Sequence, residues 1–167
     1  MSDTAGYLAN KNGKHLEDEV EEFLTSQLGI LSMLYSETDK KDNILLKNVP
    51  YTSIYGGKCR SEFQLCYEGR VIRIECKTQS AHGSVDEKLP YLFLNMSKHV
   101  EEVETVAILE GGGFRKGSLD WIRRESKGTK LSVFSLAEFK CYVAEGMKPN
   151  KRTIITTIKD WIRNVFI

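Results

Sequence analysis

Residues 62–78 constrain this chain more than any other stretch, because they read as two alternating runs split by Glu68-Gly69. In Glu62–Tyr67, the side chains of Phe63, Leu65 and Tyr67 fall on one face and Glu62, Gln64 and Cys66 on the other. In Arg70–Gln79, Ile72, Ile74 and Cys76 share a face, opposite Arg73, Glu75, Lys77 and Gln79. Period-two alternation around a two-residue turn is the pattern of a β-hairpin. With Glu68 and Gly69 as loop residues, Tyr67 pairs with Arg70, Cys66 with Val71 and Phe63 with Ile74, which sets Glu62 opposite Glu75. Directly opposed side chains lie ~5 Å apart. At an effective dielectric of ~20, two carboxylates there repel by roughly 3 kcal/mol. A divalent cation between them reverses the sign. A solvated polar face, with Lys77 and Arg73 neutralising the acids, is the other way to relieve it.

The spacing predicts a helix over residues 14–28, its apolar arc formed by Leu16, Val20, Phe23, Leu24 and Leu28, with Gly29 as the C-cap glycine. Of its acids, Glu17 falls inside the arc and Glu21 at its edge. A carboxylate on the buried side is costly unless paired or coordinating. The opening through Asn12 reads as loose, and a short extended region lies within residues 33–49. After the hairpin, the pattern predicts a helix over 86–102 with Pro90 near its first turn. A buried strand over 105–109 follows, then a helix over 118–126 with Ser118 as N-cap, a strand over 131–134 and a helix over 136–144. Residues 153–167 read as a helix with a wide apolar stripe, either core or subunit interface. The order predicts a mixed α/β domain spanning residues 1–167.

Composition closes off several classes. Lys plus Arg is 24 against 23 Asp plus Glu, a net charge of +1, so a purely electrostatic nucleic-acid binder is excluded while a local basic groove is not. No apolar run approaches the ~20 residues that span a bilayer, and no signal-peptide core opens the chain. The expectation is a cytoplasmic protein. Cys59, Cys66, Cys76 and Cys141 match no zinc spacing and read as reduced thiols, and His15, His82 and His99 form no metal motif.

Several of these segments together resemble the PD-(D/E)XK nuclease superfamily. Glu62 followed by Glu75-Cys76-Lys77 on the next strand is similar to its acidic core, and Glu75-Cys76-Lys77-Thr78-Gln79 to its longer E-x-K-x-Q form. Gly13-Lys14-His15-Leu16-Glu17 resembles the first-helix motif. Gly83 to Tyr91 resembles a segment of a bacterial and phage-type subset. The likeness runs from Gly13 to Arg124. The superfamily usually carries aspartate after proline at the first acid; here the chain reads Arg60-Ser61-Glu62, and glutamate is one methylene longer.

The resemblance implies a restriction-endonuclease-like αβββαβ core, a mixed central sheet flanked by helices. It implies a Mg²⁺-dependent endonuclease acting on DNA, with Mn²⁺ substituting, in a bacterial or phage-encoded setting. Glu62, Glu75 and the Cys76 carbonyl would bind the metal and Glu17 would complete the site. Lys77 would orient or deprotonate the attacking water, and Gln79 would position substrate or water. A homodimer or homotetramer would bring two sites to two strands. The alternative is a DNA-binding or assembly subunit that keeps the fold without catalysis.

Read from the residues themselves, Gly111-Gly112-Gly113 leading through Arg115 and Lys116 to Ser118 is either a phosphate cradle at a helix entrance or a flexible turn. Arg115, Lys116 and Lys88 are the candidate DNA contacts. Arg123, Arg124, Lys127, Lys130, Lys148, Lys151 and Arg152 are either a basic rim or solvated charge.

Overall fold

The computed structural model describes residues 3–36, 42–102 and 104–148, with side chains from residue 12 onward. Helix α1 (Asp3–Leu28) begins well before Lys14 and runs through Gly13. A helical glycine costs only about 1 kcal/mol, too little to stop a helix whose later turns are anchored. Leu16, Val20 and Leu24 are the anchors, all buried. Gly29 ends the helix at φ +64°, a conformation glycine adopts without strain.

Strands β1 (Leu31–Leu34), β2 (Ile44–Thr52), β3 (Lys58–Tyr67), β4 (Arg70–Thr78), β5 (Glu104–Glu110) and β6 (Leu131–Phe134) form one sheet in chain order. β2, β3 and β4 are antiparallel neighbours, whereas β1 runs parallel to β2, β5 to β4 and β6 to β5. The sheet is mixed, as expected, and the single extended region foreseen within residues 33–49 becomes two strands. The β3–β4 register is the one read from the alternation, and Glu68 and Gly69 turn at φ +50° and +72°. Both central residues of a type I′ hairpin turn need positive φ.

Helix α2 (Val85–Leu94) ends eight residues short of the expected Glu102. A π-helical turn, Asn95–His99, replaces the last part, and the chain then enters β5. Pro90 lies in the sixth position of α2 rather than the first turn, exposed on the solvent side, and the helix passes through it. Helix α3 (Lys116–Glu125) starts two residues earlier than expected, with Arg115 as N-cap. Ser118 is already inside the helix, and its hydroxyl donates to Asp86 Oδ1 at 2.5 Å. Helix α4 (Leu136–Ala144) has the bounds read from the sequence, closed by a capping box between Ser135 and Glu138. The expected C-terminal helix over 153–167, and the cations Lys151 and Arg152, lie outside the described residues.

Two apolar layers hold the sheet. Leu16, Val20 and Leu24 of α1 and Phe139 and Val143 of α4 pack on Phe63, Leu65, Ile72, Ile74, Val106 and Ile108. On the opposite face, Leu89 and Leu92 of α2, Met96 and Ile122 cover Ala107 and Leu109. The result is an α/β/α sandwich with β3 and β4 at the centre of its sheet. Ion pairs join neighbouring elements: Lys47 of β2 to Glu21 of α1 at 2.8 Å, Lys140 of α4 to Glu19 of α1 at 2.6 Å, and Arg70 of β4 to Glu104 of β5 at 2.5 Å. Among the described residues no helix is long and apolar enough to cross a membrane. The four cysteines are unbridged.

Candidate active site

The site forms where the central hairpin comes apart. β3 and β4 pair from Tyr67–Arg70 back to Phe63–Ile74 and stop there. In an antiparallel ladder, hydrogen-bonded pairs alternate, so Ser61 and Cys76 would be the next to exchange bonds. Ser61 stays instead with Val49 on β2. The β2–β3 ladder omits the Asn48–Glu62 pair, and Asn48 turns at φ +56°, one of the few residues that tolerate it. Beside this positive-φ residue, β3 and β4 are no longer paired at Glu62.

The Cys76 peptide groups left open are taken by side chains. Its N–H donates to Glu62 Oε2 at 3.1 Å, and its carbonyl accepts from Lys77 Nζ at 3.0 Å. Lys77 Nζ also lies 3.1 Å from Glu62 Oε1 and 2.6 Å from Glu75 Oε1. The two acids therefore do not face each other across a regular ladder, as the alternation predicts; they converge on one ammonium group at a break in it.

The face they occupy is not solvated. Glu75 is 8% exposed and Arg73 5%. Arg73 does not neutralise the acids: it makes a bidentate pair with Glu102, at 2.5 and 2.8 Å, and donates to Val49 O and Ser61 Oγ. It thereby ties β2, β3 and β4 together beside the break. β4 is flanked by strands and covered on both faces along its middle, so Arg73 and Glu75 are interior there. The alternation gave Arg73 its face but no hint of its partner, because Glu102 is far along the chain.

Burial pushes the Glu75 carboxyl up to about 8, with Glu62 adding to the rise and Lys77 opposing it. One ammonium cannot balance two carboxylates in such a place. Lys77 is held above its ordinary range by Glu75 and Glu62, against the opposing effect of its burial. Burial first, then Glu62, raises Glu17 on α1, which joins the group through its charge. Glu75 Oε2 is buried without a hydrogen-bond partner. A buried, unpartnered carboxylate oxygen beside a second carboxylate and a peptide carbonyl fits a hard divalent cation. Among the described residues, no three His, Cys, Asp or Glu side chains group as a metal cage. A cation here would rest on two carboxylates, the carbonyl and its own water.

A family model described as PD-(D/E)XK nuclease superfamily domain matches residues 8–147. The chain belongs to the PD-(D/E)XK nuclease superfamily. Comparison with curated proteins and with solved structures returned no match. The superfamily match takes in all six strands and extends beyond the residues that carry the resemblance in the sequence, reaching α4.

The remaining predicted residues of this superfamily domain sit around the acid pair. Gln79 is buried and its amide is engaged: it donates to Gly113 O at 2.7 Å and Asp86 Oδ2 at 3.2 Å and accepts from Val85 N at 2.9 Å. It fastens the turn from β4 into α2. The glycine run is neither an open cradle nor a loose turn. A Cβ on Gly111 would meet the Gln79 carbonyl at 2.5 Å, and one on Gly113 would strike the Ala81 backbone. These glycines let two backbones touch. The Gly113 N–H donates to Gln79 O and the Arg115 N–H to Asp86 Oδ1. Asp86 thus takes the helix-entrance position expected for a phosphate, and the Ser118 hydroxyl first, then the Arg115 N–H, hold its carboxyl below the usual range. Sequence reasoning gave Asp86 no role of its own. The Arg115 side chain is exposed near Asp86, Lys116 pairs with Asp120, and Lys88 is exposed on α2.

Proposed function

We propose that the protein is a Mg²⁺-dependent endonuclease that hydrolyses DNA phosphodiester bonds at the Glu62, Glu75 and Lys77 group. The observation that carries this is the convergence of both carboxylates on Lys77 Nζ, at 3.1 and 2.6 Å, with a buried Glu75 oxygen unpartnered. Glu62, Glu75 and the Cys76 carbonyl would hold the metal, and Glu17 would shape its field. A divalent cation bound there supplies Lewis-acid polarisation of the phosphoryl oxygen and a water of lowered pKa.

Lys77 has the role of a fixed positive donor. Flanked by two acids it keeps its proton, so it orients water and balances charge developing on the phosphate rather than acting as a base. Gln79 acts on position alone, by holding the β4–α2 turn beside the site. Lys88, Arg115 and Lys116 contact phosphates through their side chains, the N–H groups beneath being partly spent within the chain. Two copies, as a dimer or tetramer, would serve two strands.

A non-catalytic DNA-binding reading draws on one observation: the described residues offer a cation only two close carboxylates. Incubation of supercoiled plasmid with the protein, with and without Mg²⁺, separates the two. Nicked or linear product only with Mg²⁺ supports the nuclease, and binding without product supports the alternative.

A further inference from the structure

The turn between β2 and β3 carries a large aromatic ring into solvent. Tyr55, at its tip, is 82% exposed, yet its ring stacks on that of Tyr91 of α2, with centroids 5.3 Å apart and planes 22° from parallel. The two tyrosines come from segments 36 positions apart, and one buried residue joins those segments. Asn95, 1% exposed, accepts the Ile54 N–H on Oδ1 at 2.9 Å and donates from Nδ2 to the Tyr91 carbonyl at 2.8 Å. The turn is closed by its own bonds, Ser53 N–H to Gly57 O and Gly56 N–H to Ser53 O. The Tyr91 hydroxyl lies 3.7 Å from Cys59 Sγ on β3. An exposed ring is thus held in a fixed orientation, one face on Tyr91 and the other toward solvent.

Its surroundings point to the occupant. Tyr51 links this pair to the strand that bears Glu75: it lies opposite Cys59 in the β2–β3 ladder, and the Arg73 guanidinium of β4 sits over its ring, 5.7 Å from the centroid. Tyr51 and Cys59 line a groove of about 1100 Å³ over β2–β4, whose wall carries the cations Lys58 and Arg60 together with the acids Asp42, Glu101 and Glu102. A rigid aromatic face beside cations is the arrangement that holds a nucleobase next to its backbone. A base inside a duplex has both faces covered by its neighbours, so apart from a terminal pair only an unpaired base can offer a face to Tyr55.

We propose that Tyr55, backed by Tyr91 and fixed by Asn95, is a stacking platform for an unpaired base close to the scissile phosphate, so that the favoured substrate is DNA with a single-stranded arm. This rests on the nuclease reading, but its test stands apart from cleavage. The full chain is titrated, with Ca²⁺ replacing Mg²⁺, against a blunt duplex and against the same duplex bearing a short single-stranded arm with 2-aminopurine. The expected result is tighter binding of the armed duplex and quenching of the 2-aminopurine. Tyr55→Ala should abolish the quenching and weaken the armed complex about tenfold, leaving the blunt one within about twofold. Tyr55→Phe should behave as wild type. Because Tyr55 is solvent-exposed, neither variant endangers folding. If Tyr55→Ala binds both duplexes as wild type does, or weakens both alike, the platform is overturned while the nuclease reading stands. Tyr55-dependent quenching in a protein that never cleaves DNA upholds the platform and overturns catalysis. Failure of the wild type to bind either duplex overturns both.

Discussion

The Glu62 carboxylate accepts the Cys76 backbone N–H at 3.1 Å, standing in for the strand partner that β3 withdraws. One side chain is therefore both a structural substitute for a ladder bond and a member of the acid group. Its replacement is expected to act on stability and on chemistry at once, which shapes the experiments below.

Metal binding should be visible as stability. A ligand that binds only the folded state at a hundred times its Kd adds about 2.7 kcal/mol. Saturating Mg²⁺ or Mn²⁺ should raise the melting temperature by several degrees, and Glu62→Gln should reduce that rise while still accepting the Cys76 N–H through its amide oxygen. Differential scanning fluorimetry with and without the metal measures both. An equal rise in wild type and variant would remove Glu62 from the site.

The raised Glu75 carboxyl fixes a pH dependence. A group whose folded pKa lies above its unfolded value contributes stability that is complete below the unfolded value, near 4.5, and lost as pH rises through about 8. In metal-free protein, the stability should fall across that window by up to about 1.4 kcal/mol per pH unit. Glu75→Gln should flatten the fall and be the more stable protein at pH 8. Urea titrations at pH 5, 6.5 and 8 decide this; parallel profiles for the two proteins would mean that Glu75 ionises normally.

Removal of one partner of a buried pair leaves the other charge stranded. Side chains of Arg73 and Glu102 are 6% and 9% exposed and doubly hydrogen-bonded. Glu102→Ala should cost about 3–5 kcal/mol, while Arg73→Met combined with Glu102→Leu should recover much of it. Chemical denaturation of the three proteins checks the order.

Phosphate contacts have a salt signature. Each of Lys88, Arg115 and Lys116, replaced by alanine, should weaken DNA binding similarly on every sequence and lower the slope of log K against log salt by ~1. Slopes from fluorescence anisotropy at several salt concentrations measure it, and an unchanged slope in all three variants would move the DNA elsewhere on the surface.

Much of the core could be read in advance because it depends on local chemistry. The hairpin register follows from alternation and from Glu68-Gly69, and the buried face of α1 from Leu16, Val20 and Leu24. The start of α4 follows from the capping box of Ser135 and Glu138. What escaped depends on residues distant in the chain. Nothing near Glu62 announces that the β3–β4 ladder ends one pair early there, beside a positive-φ Asn48 on another strand. The glycine run was legible as a special backbone but not as a clamp, since its reason is the Gln79–Ala81 backbone lying against it. Asp86 caps a helix thirty residues away, so no local pattern could mark it. The Tyr55–Tyr91 stack was invisible for the same reason: Asn95, which aligns the two, sits in a π-helical turn that periodicity read as ordinary helix.

The proposed phosphodiester hydrolysis rests on Glu75 and Lys77. The most direct measurement is Mg²⁺-dependent plasmid cleavage by wild type, Glu75→Gln and Lys77→Met, each first shown by circular dichroism to fold alike. Cleavage by the wild type is expected, with a loss of at least 10²-fold in each variant, the scale of removing one transition-state electrostatic contact. Cleavage by either folded variant at the wild-type rate would contradict that assignment.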